Sequence, residues 1–457
     1  MYKKRSNFKL IVFLLLVVGL FGVMFYLQND PRFEQVKPKV EMSDTIYWNP
    51  NRAFEVDISD NNGLRSVEAF LEDGENKVVL ADIKVPNKDK NYKLKVDFPK
   101  MGLLAREDLL KLTVIVRDSS FWGLFRGNKT VKKSIIHIDK VKPELLLINN
   151  SYSIGKGGTA LVIFRAKDNN LKNTYIMTNY GKKFYTNDFY KDGYHISLVA
   201  WPVFEKTFTA WIVAEDKAGN KTKQRVAFYL KPRKYRVSYI KASDRFINGK
   251  IAQLAEDRPE KTASLTPIQK MKFINEDYRI ENEDLIREYA TKVDGGKISK
   301  FDIYRFYPLK NGQRVGSYGD HRYYFYKNKE NIISESYHMG LDLASVRQAD
   351  IKTSNKAICV YAKYNGIYGN NVILYHGLGF YTLYGHCSSF LVSRGDVIKK
   401  DGVIAQTGAT GLALGDHLHF GISVQGIFVR PAEWMDSKWI NTNITKVIDK
   451  AKQIIGK

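Results

Sequence analysis

Residues 372–387 read Val-Ile-Leu-Tyr-His-Gly-Leu-Gly-Phe-Tyr-Thr-Leu-Tyr-Gly-His-Cys and contain two short runs of β-branched and aromatic residues, Val372–Tyr375 and Tyr381–Tyr384. Two glycines lie between the runs, and short strand-forming runs separated by glycine are typical of β-hairpins. Glycines recur every few residues over the whole stretch 366–421. The sequence therefore predicts an antiparallel β-sheet in the C-terminal part of the chain.

Histidine is concentrated around this hairpin, since six of the eight histidines lie within residues 321–419. His417 and His419 are two residues apart, so on an extended strand both side chains point into one cleft. His338 and Asp342 are four apart and converge whether the backbone is extended or helical. A hydrolytic zinc site needs three histidine or carboxylate ligands and one open position for water. A lone His-x-His pair is more often a surface or structural pair, but the combination predicts a zinc hydrolase.

A series of short motifs extends this pattern in a fixed order. They are Ser317–Arg322 (Ser-Tyr-Gly-Asp-His-Arg), His338–Asp342 (His-Met-Gly-Leu-Asp), Tyr384–His386 (Tyr-Gly-His), Gly395–Ile398 (Gly-Asp-Val-Ile), Thr407–Gly411 (Thr-Gly-Ala-Thr-Gly) and Gly415–Phe420 (Gly-Asp-His-Leu-His-Phe). Over residues 301–434 they resemble the lysostaphin/LytM-type zinc metalloendopeptidase family, whose members hydrolyse bacterial peptidoglycan. The resemblance implies a zinc endopeptidase domain over residues 301–440, followed by a C-terminal helix or tail at 441–457.

The resemblance also implies a role for each residue of the site. His338, Asp342 and His419 would be the ligands of a Zn²⁺ cofactor. His386 and His417 would be the catalytic pair beside the metal, as general base and as electrostatic support for the tetrahedral intermediate.

Four nearby residues are kept out of this predicted site. His376 is interpreted as structural, and His321 lies either at the mouth of the site or in solvent. Arg322 matches an arginine of the family and either binds a substrate carboxylate or forms a structural ion pair. Tyr337 is the nearest candidate for the tyrosine that stabilises the oxyanion in some members, but its position matches poorly. Oxyanion stabilisation is therefore expected to depend on the histidine pair.

An apolar run at the N-terminus predicts the compartment. Residues 10–27 (LIVFLLLVVGLFGVMFYL) are eighteen positions without a charge, just long enough to span a bilayer. Four basic residues lie within positions 1–9, so this tail is expected to be cytoplasmic and the rest of the chain to be outside. A cleaved secretory signal is the alternative. An uncleaved transmembrane signal anchor is favoured because the tail of the run has no small-x-small cleavage motif.

Composition agrees with an extracytoplasmic protein. The chain has 72 Lys and Arg against 48 Asp and Glu, a net charge of +24. The basic residues are scattered and are expected outside the cell, which argues against nucleic acid as a partner. Attraction to anionic wall polymers or lipid head groups is more plausible. Cys359 and Cys387 are expected to be free buried thiols, with a disulfide as the alternative.

A repeat precedes the zinc domain. Phe54–Leu64 parallels Leu161–Leu171, and Val114–Thr130 parallels Ile212–Thr222, at an offset of about one hundred residues. This is the size of an immunoglobulin-like sandwich, so two Ig-like β-sandwich domains are predicted at 38–141 and 142–233. They are interpreted as spacers or as docking modules for divisome or wall-synthesis proteins. The first copy carries an apolar insert, Phe121–Phe125, expected to contact a partner, a membrane or the neighbouring domain.

Residues 234–300 differ in composition from the segments on either side. Thr266 followed by Pro267 is typical of an N-cap and the first helical position. Residues 268–293 are rich in Glu, Lys, Leu and Ile, which favours one or two helices. Some members of the family cover their zinc cleft with an upstream segment. The helical segment is therefore either a plain linker or a gate over the cleft.

The sequence thus predicts a mainly β protein with an N-terminal transmembrane helix, two Ig-like domains, a short helical segment and a zinc peptidase domain. We expect a single-pass protein of the inner membrane that cleaves peptide stems of peptidoglycan in the periplasm. The expected bond joins D-alanine to diaminopimelate. The alternative is a catalytically silent scaffold that binds the wall and activates another hydrolase. In such a scaffold at least one of the five metal and catalytic positions would be substituted, and all five are intact.

Overall fold

The computed structural model describes residues 8–74, 76–100 and 109–457. Contacts divide the chain into two compact units, Met1–Lys142 with Glu215–Asn220, and Pro143–Ala214 with Lys221–Lys457. The second unit therefore contains the second predicted sandwich, apart from Lys142 and Glu215–Asn220, together with the helical segment and the predicted zinc domain. Of the predicted cytoplasmic tail, residues 1–7 lie outside the described residues.

The first element is the apolar helix α1 (Phe8–Asn29). Its stretch Phe8–Tyr26 has a mean hydropathy of 2.7 and is long and apolar enough to cross a membrane. The helix is two residues longer at each end than the apolar run at 10–27, because helical hydrogen bonding continues past the last apolar residue. It ends just before Pro31, which disfavours helical geometry at the residue that precedes it.

The rest of the first unit consists of two sheets around one core. Its strands are β1 (Lys39–Glu41), β2 (Thr45–Trp48), β3 (Phe54–Ser59), β4 (Leu64–Glu72), β5 (Lys77–Lys84), β6 (Asn91–Val96), β7 (Leu109–Asp118) and β8 (Lys129–Ile138), with a short helix α2 (Trp122–Phe125) before β8. The sheets have the orders β1-β3-β6 and β2-β8-β7-β4-β5. Side chains alternate along β4, which buries Val67, Ala69 and Leu71 in this core.

The second unit begins with another pair of sheets. Its strands are β9 (Glu144–Asn150), β10 (Ser153–Gly155), β11 (Thr159–Lys167), β12 (Leu171–Thr178), β13 (Lys183–Tyr185), β14 (Asn187–Asp188), β15 (Tyr194–Ala200), β16 (Ala210–Asp216), β17 (Lys221–Val226) and β18 (Tyr229–Lys231). They form four-stranded sheets of order β14-β15-β11-β9 and β13-β12-β16-β17, with β10 parallel to β18. The first six residues of β11 are all buried, as expected for a strand covered on both faces.

Helices follow this second pair of sheets and also end the chain. They are α3 (Asp244–Phe246), α4 (Ala252–Ala255), α5 (Pro259–Thr262), α6 (Pro267–Asn275), α7 (Asp277–Tyr289), α8 (Pro431–Trp434), α9 (Ser437–Ile440) and α10 (Lys446–Gly456). The predicted helix start at Thr266 is confirmed, because its side chain forms a capping box with Gln269 at the beginning of α6. Apolar residues of the helical segment, including Met271 and Ile286, share a core with Ile373 and Leu383, which lie in the main C-terminal sheet described below. The segment is therefore packed onto the sheet over its length.

The predicted antiparallel sheet in the C-terminal part is confirmed. The strands of this part of the chain are β19 (Val237–Lys241), β20 (Gln313–Gly316), β21 (His321–Phe325), β22 (Ile332–Tyr337), β23 (Leu341–Ala344), β24 (Asp350–Lys352), β25 (Ala357–Tyr364), β26 (Asn370–Tyr375), β27 (Phe380–Cys387), β28 (Ser389–Phe390), β29 (Val397–Ile398), β30 (Val403–Gln406), β31 (Leu418–Val424) and β32 (Ile427–Val429). They form three sheets, of which two are small, β19-β21-β22 and β24-β30-β28, and β19 runs parallel to β21. The main sheet has the order β20-β23-β31-β27-β26-β25-β29, with β32 on β31. The hairpin predicted within residues 372–387 is β26–β27, which lies at the centre of this sheet.

A buried carboxylate joins the second pair of sheets to helix α8, which directly follows β32 of the main C-terminal sheet. Glu433 on α8 accepts a hydrogen bond from the backbone N–H of Thr159 at 3.0 Å. The side chain lies against Gly158, where an added Cβ would be 2.4 Å from Glu433 Oε1. Burial raises the pKa of this carboxyl from 4.5 to about 7.

This carboxyl predicts a pH-dependent stability. Because the folded state holds the proton of Glu433 more tightly than the unfolded state, its contribution is complete below the unfolded pKa and is lost as pH rises through about 7. The pKa difference corresponds to roughly 3 kcal/mol. We expect the melting temperature of the wild type to fall more between about pH 5 and about pH 8 than that of Glu433→Gln. Calorimetry checks this, and equal falls in the two proteins would contradict it.

Candidate metal centre

Strand pairing brings the predicted site together. Asp342 on β23 lies opposite His419 on β31, and Gly385 on β27 lies opposite His419 from the other side. Directly opposed residues of antiparallel strands have Cβ atoms about 4.5–5.5 Å apart. His338 lies in the short connection between β22 and β23. Register therefore gathers residues that are far apart in the sequence.

Three side chains converge on one point. His338 Nε2 is 3.0 Å from Asp342 Oδ1 and 3.1 Å from His419 Nδ1, and His419 Nδ1 is 2.9 Å from Asp342 Oδ1. All three residues are at most 9% exposed. Two imidazole nitrogens and a carboxylate oxygen that face each other in a buried place are a donor set that suits Zn²⁺. The residues present therefore fit a zinc ion.

The protonation states also fit a metal. Burial opposes the ionisation of Asp342, but the adjacent imidazoles of His338 and His419 hold the pKa of its carboxyl well below the usual range. Burial lowers the pKa of His419 to about 4. A carboxylate and a neutral imidazole are the forms that bind metal. His338 Nδ1 lies 2.9 Å from the carbonyl oxygen of Ser317; as its donor, Nδ1 leaves Nε2 with a lone pair for a metal.

Two further histidines lie beside the ligand cluster. The rings of His386 and His417 are 4.8 Å apart, and His417 Nε2 is 3.8 Å from Asp342 Oδ1. His386 Nδ1 lies 2.8 Å from the carbonyl oxygen of Thr410, and His417 Nδ1 lies 2.8 Å from that of Gly415. With both Nδ1 atoms as donors, both Nε2 atoms are free to accept a proton.

The backbone and the surroundings of His386 are unusual. Its φ of 63° is left-handed, which costs a non-glycine residue about 1–2 kcal/mol. Burial and the neighbouring imidazoles of His417 and His419 lower its pKa well below 6.5. His386 is therefore held as a neutral imidazole in a conformation that the surrounding structure must stabilise.

The five residues line one cleft of about 1100 Å³. Residues of the helical segment and of the strand before it also line this cleft, including Phe246 and Gly249. Lys250 Nζ donates a hydrogen bond to the carbonyl oxygen of Ala409 at 3.0 Å. Five cationic residues line the cleft, Lys241, Arg245, Lys250, Arg279 and Arg322, against two acidic residues, Asp342 and Asp416.

The helical segment contributes a wall but does not join the ligand cluster. Within residues 8–74, 76–100 and 109–457, the cluster at this site consists of His338, Asp342 and His419 alone. The segment also shares a core with the sheet, which a plain linker would not do. Removing it would expose that core, so substitutions on its cleft face are the better test of gating.

The residues kept out of the predicted site have other contacts. His376 bonds to the carbonyl oxygen of Lys356 and to Thr382 Oγ1. His321 pairs with Glu335 at 3.0 Å and stacks on Tyr337. None of these side chains lines the cleft. Tyr337 is therefore poorly placed to stabilise an oxyanion.

Arg322 and Tyr368 do line the cleft. Arg322 Nε is 3.3 Å from Asp320 Oδ2, and its Nη2 is 3.8 Å from Asp342 Oδ2. The ring of Tyr368 lies edge-on to His419 at 5.3 Å, and burial raises the pKa of its hydroxyl well above 10.0. Sequence reasoning misses Tyr368, because it lies in a short turn between β25 and β26 that carries no motif. The two cysteines are free and buried, as favoured from the sequence.

Glycine is required at position 340 because the backbone there lies very close to the ring of His419. An added Cβ there would lie 2.4 Å from His419 Nε2 and 2.9 Å from the carbonyl oxygen of Phe420. We expect Gly340→Ala to displace the His419 ring and to weaken zinc binding about 10–100-fold, as loss of a supporting contact does. Zinc titration with a competing chelator measures this. Gly415→Ala is the matched control, because its Cβ would meet nothing within 4 Å. Equal zinc affinities in the two variants would contradict the argument.

Comparisons with known proteins single out the same part of the chain. Residues 336–431 match Peptidase family M23. The DD-carboxypeptidase/endopeptidase Mpg of Neisseria meningitidis is 34% identical over 94 residues, which are 21% of this chain and 22% of that protein. The peptidoglycan DD-endopeptidase ShyA of Vibrio cholerae is 27% identical over 167 residues, 36% of this chain and 37% of that protein. The chain thus spans less than half the length of these curated relatives.

Solved structures give matches as well. The catalytic domain of lysostaphin from Staphylococcus simulans is 24% identical, with 27% of this chain and 92% of that chain covered and a TM-score of 0.23. A zinc-containing peptidase from Vibrio cholerae is 12% identical, with 75% and 87% covered and a TM-score of 0.27. The range 336–431 that matches the family contains His338, Asp342, His386, His417 and His419.

Proposed function

From the premise that the C-terminal part of this chain is a Peptidase family M23 domain, we propose that the protein is a membrane-anchored zinc metalloendopeptidase that hydrolyses peptide cross-links of bacterial peptidoglycan. The observation that carries the proposal is the convergence of His338, Asp342 and His419 within 3.1 Å at the floor of a cleft. His386 and His417 line the same cleft. The three proposed metal ligands and the two proposed proton carriers therefore lie side by side in one cleft.

In this proposal each residue has a defined task. His338, Asp342 and His419 would hold Zn²⁺, which would supply a Lewis acid for a carbonyl and lower the pKa of a water. The Nε2 atom of one of the two further histidines, His386 or His417, would accept the proton that the water loses as its oxygen bonds to the carbonyl carbon, and the other ring would support the charge of the tetrahedral intermediate. The protonated ring would donate a hydrogen bond to the oxyanion and then return its proton to the amine nitrogen as the C–N bond breaks. The proton taken from the water thus ends on the amine, and no other proton carrier is needed.

The substrate bond is proposed to be the D-alanyl to diaminopimelate cross-link. Stem peptides of this type carry free carboxylates, and the cleft is lined by five cationic and two acidic residues. A carboxylate-bearing peptide would be attracted to such a cleft, and a neutral polyglycine bridge would gain little from it. The relatives in Neisseria and Vibrio, a DD-carboxypeptidase/endopeptidase and a peptidoglycan DD-endopeptidase by name, support the same choice.

Reversing one charge of the cleft wall predicts a loss of substrate affinity. Arg245 is exposed and lines the cleft from the helical segment. We expect Arg245→Glu to raise KM for a diaminopimelate-type dimer about 10-fold and to leave kcat largely unchanged, because it removes binding and not chemistry. Lys272→Glu, on the same segment but outside the cleft, is the control. Equal kinetics for the two variants would contradict both the substrate class and a role of this segment at the site.

The proposed membrane anchor is α1, because this helix is apolar and long enough to cross a bilayer. Basic residues before it place the N-terminus in the cytoplasm by the positive-inside rule. The catalytic domain would then lie in the periplasm, with the inner membrane as its anchor. This is the compartment that contains the proposed substrate.

The test is digestion of diaminopimelate-type sacculi by the detergent-solubilised full chain. Muropeptides would be separated and identified by mass spectrometry, with and without a zinc chelator. Loss of cross-linked dimers that the chelator prevents and added zinc restores is the expected result. Intact dimers in the presence of zinc would overturn the proposal in favour of a scaffold that activates another hydrolase.

A further inference from the structure

The first unit exposes a small apolar loop. Residues 121–125, Phe-Trp-Gly-Leu-Phe, connect β7 to β8. Leu124 is 87% exposed, Phe125 64% and Trp122 40%. Side chains of this size normally gain about 1.5–3 kcal/mol each from full burial. Three adjacent ones in solvent mark a contact surface.

The base of the loop is firmly held while its tip is exposed. Arg65 donates hydrogen bonds to the carbonyl oxygens of Phe125 at 2.7 Å and Ser120 at 3.1 Å. Leu124 and Phe125 have φ values of 60° and 65°, a left-handed conformation that costs about 1–2 kcal/mol per residue. The loop is thus fixed in a strained form that keeps apolar side chains outside.

The loop is tied to the chain that leaves α1. The backbone N–H of Phe121 donates to the carbonyl oxygen of Arg32 at 2.6 Å. The ring of Phe33 packs edge-on against Phe121 and Phe125, at centroid distances of 5.6 Å and 6.4 Å. These contacts form a continuous apolar patch from the segment after the helix to the loop.

Chain length then limits how far the loop can be from a bilayer. Phe33 is four residues beyond Asn29, the last residue of α1, and four residues span at most about 14 Å. The apolar stretch Phe8–Tyr26 has 19 residues, which corresponds to about 28 Å of helix, close to the thickness of the hydrocarbon core. Phe33 therefore lies within about 14 Å of the end of α1, and the loop that it contacts is within reach of the head groups. This bound holds for any orientation of α1 relative to the sheets.

We propose that Trp122, Leu124 and Phe125 insert into the outer interface of the bilayer that α1 spans, as a second, non-spanning membrane contact of the first unit. Tryptophan and phenylalanine beside leucine are the composition of interfacial segments. Arg126, the next residue, has the charge to bind a lipid phosphate. The proposal rests on the anchor part of the proposed function and is independent of the peptidase activity.

The test uses the full chain carrying Leu124→Cys, labelled with an environment-sensitive fluorophore and reconstituted in phosphatidylcholine–phosphatidylglycerol vesicles. Cys359 and Cys387 are buried, so labelled wild type serves as the blank. Val79→Cys is the matched control, because Val79 is 65% exposed on β5 of the same unit. We expect the probe at 124 to shift to the blue and to lose at least about half of its emission to nitroxide lipids, as an interfacial group would. The probe at 79 should do neither.

Three other outcomes would overturn the proposal. Identical emission and no lipid quenching at both positions would show that the loop stays in water. A blue shift in detergent that grows with protein concentration would mean that a second copy of the chain covers the loop. Failure of the wild type to float with vesicles would refute the anchor and the loop contact together. Muropeptide cleavage by the same solubilised preparation tests the peptidase separately.

Discussion

His338→Ala is expected to lower the cleavage of cross-linked muropeptide dimers by at least about a thousand-fold, because it removes one of the three proposed ligands of a metal that would lower the barrier by several kcal/mol. The two remaining donors, Asp342 and His419, are 2.9 Å apart and form no closed site by themselves. Zinc content should fall in parallel with activity. Mass spectrometry of muropeptides and metal analysis of the purified variant measure the two losses.

A matched histidine variant shows whether a loss of activity comes from loss of the metal site or from misfolding. His321→Ala removes a ring that pairs with Glu335 and stacks on Tyr337 outside the cleft. It should keep its zinc and most of its activity. If His338→Ala retained more than about a tenth of the wild-type rate while free of zinc, the metal could not be the catalyst.

Replacing His386 or His417 by glutamine should lower kcat by about 10²–10⁴-fold, the range of a general base. Zinc should stay bound, because neither side chain belongs to the ligand cluster. This separation of activity from metal content distinguishes the pair from the three ligands. The double variant should lose little more than the worse single variant, because residues that act as a unit are not additive.

Tyr337→Phe is the control for this second prediction. The tyrosine is the nearest sequence candidate for an oxyanion donor, but its ring stacks on His321 and it does not line the cleft. Its hydroxyl should be dispensable. A large loss of kcat in Tyr337→Phe together with an active His386→Gln would reverse the assigned roles.

Several features of this protein follow from the sequence by local rules. The strands of the β26–β27 hairpin follow from side-chain preference and glycine spacing, and the start of α6 follows from Thr266 and Pro267. The five candidate site residues are identifiable because metal chemistry admits few residue types at few spacings. The apolar run of α1 is recognisable because a bilayer sets its length. In each case the physical cause lies within a short stretch of chain.

Other features were decided by the tertiary structure alone. The cationic wall comes from residues such as Arg245 and Lys250, which face the cleft only because the helical segment packs on the sheet. Tyr368 against His419 and Glu433 against Thr159 are long-range contacts. No periodicity or motif in the sequence predicts either contact, because each depends on the packing of elements that are far apart in the sequence. Local pattern determined which residues could do the chemistry, and long-range packing determined what surrounds them.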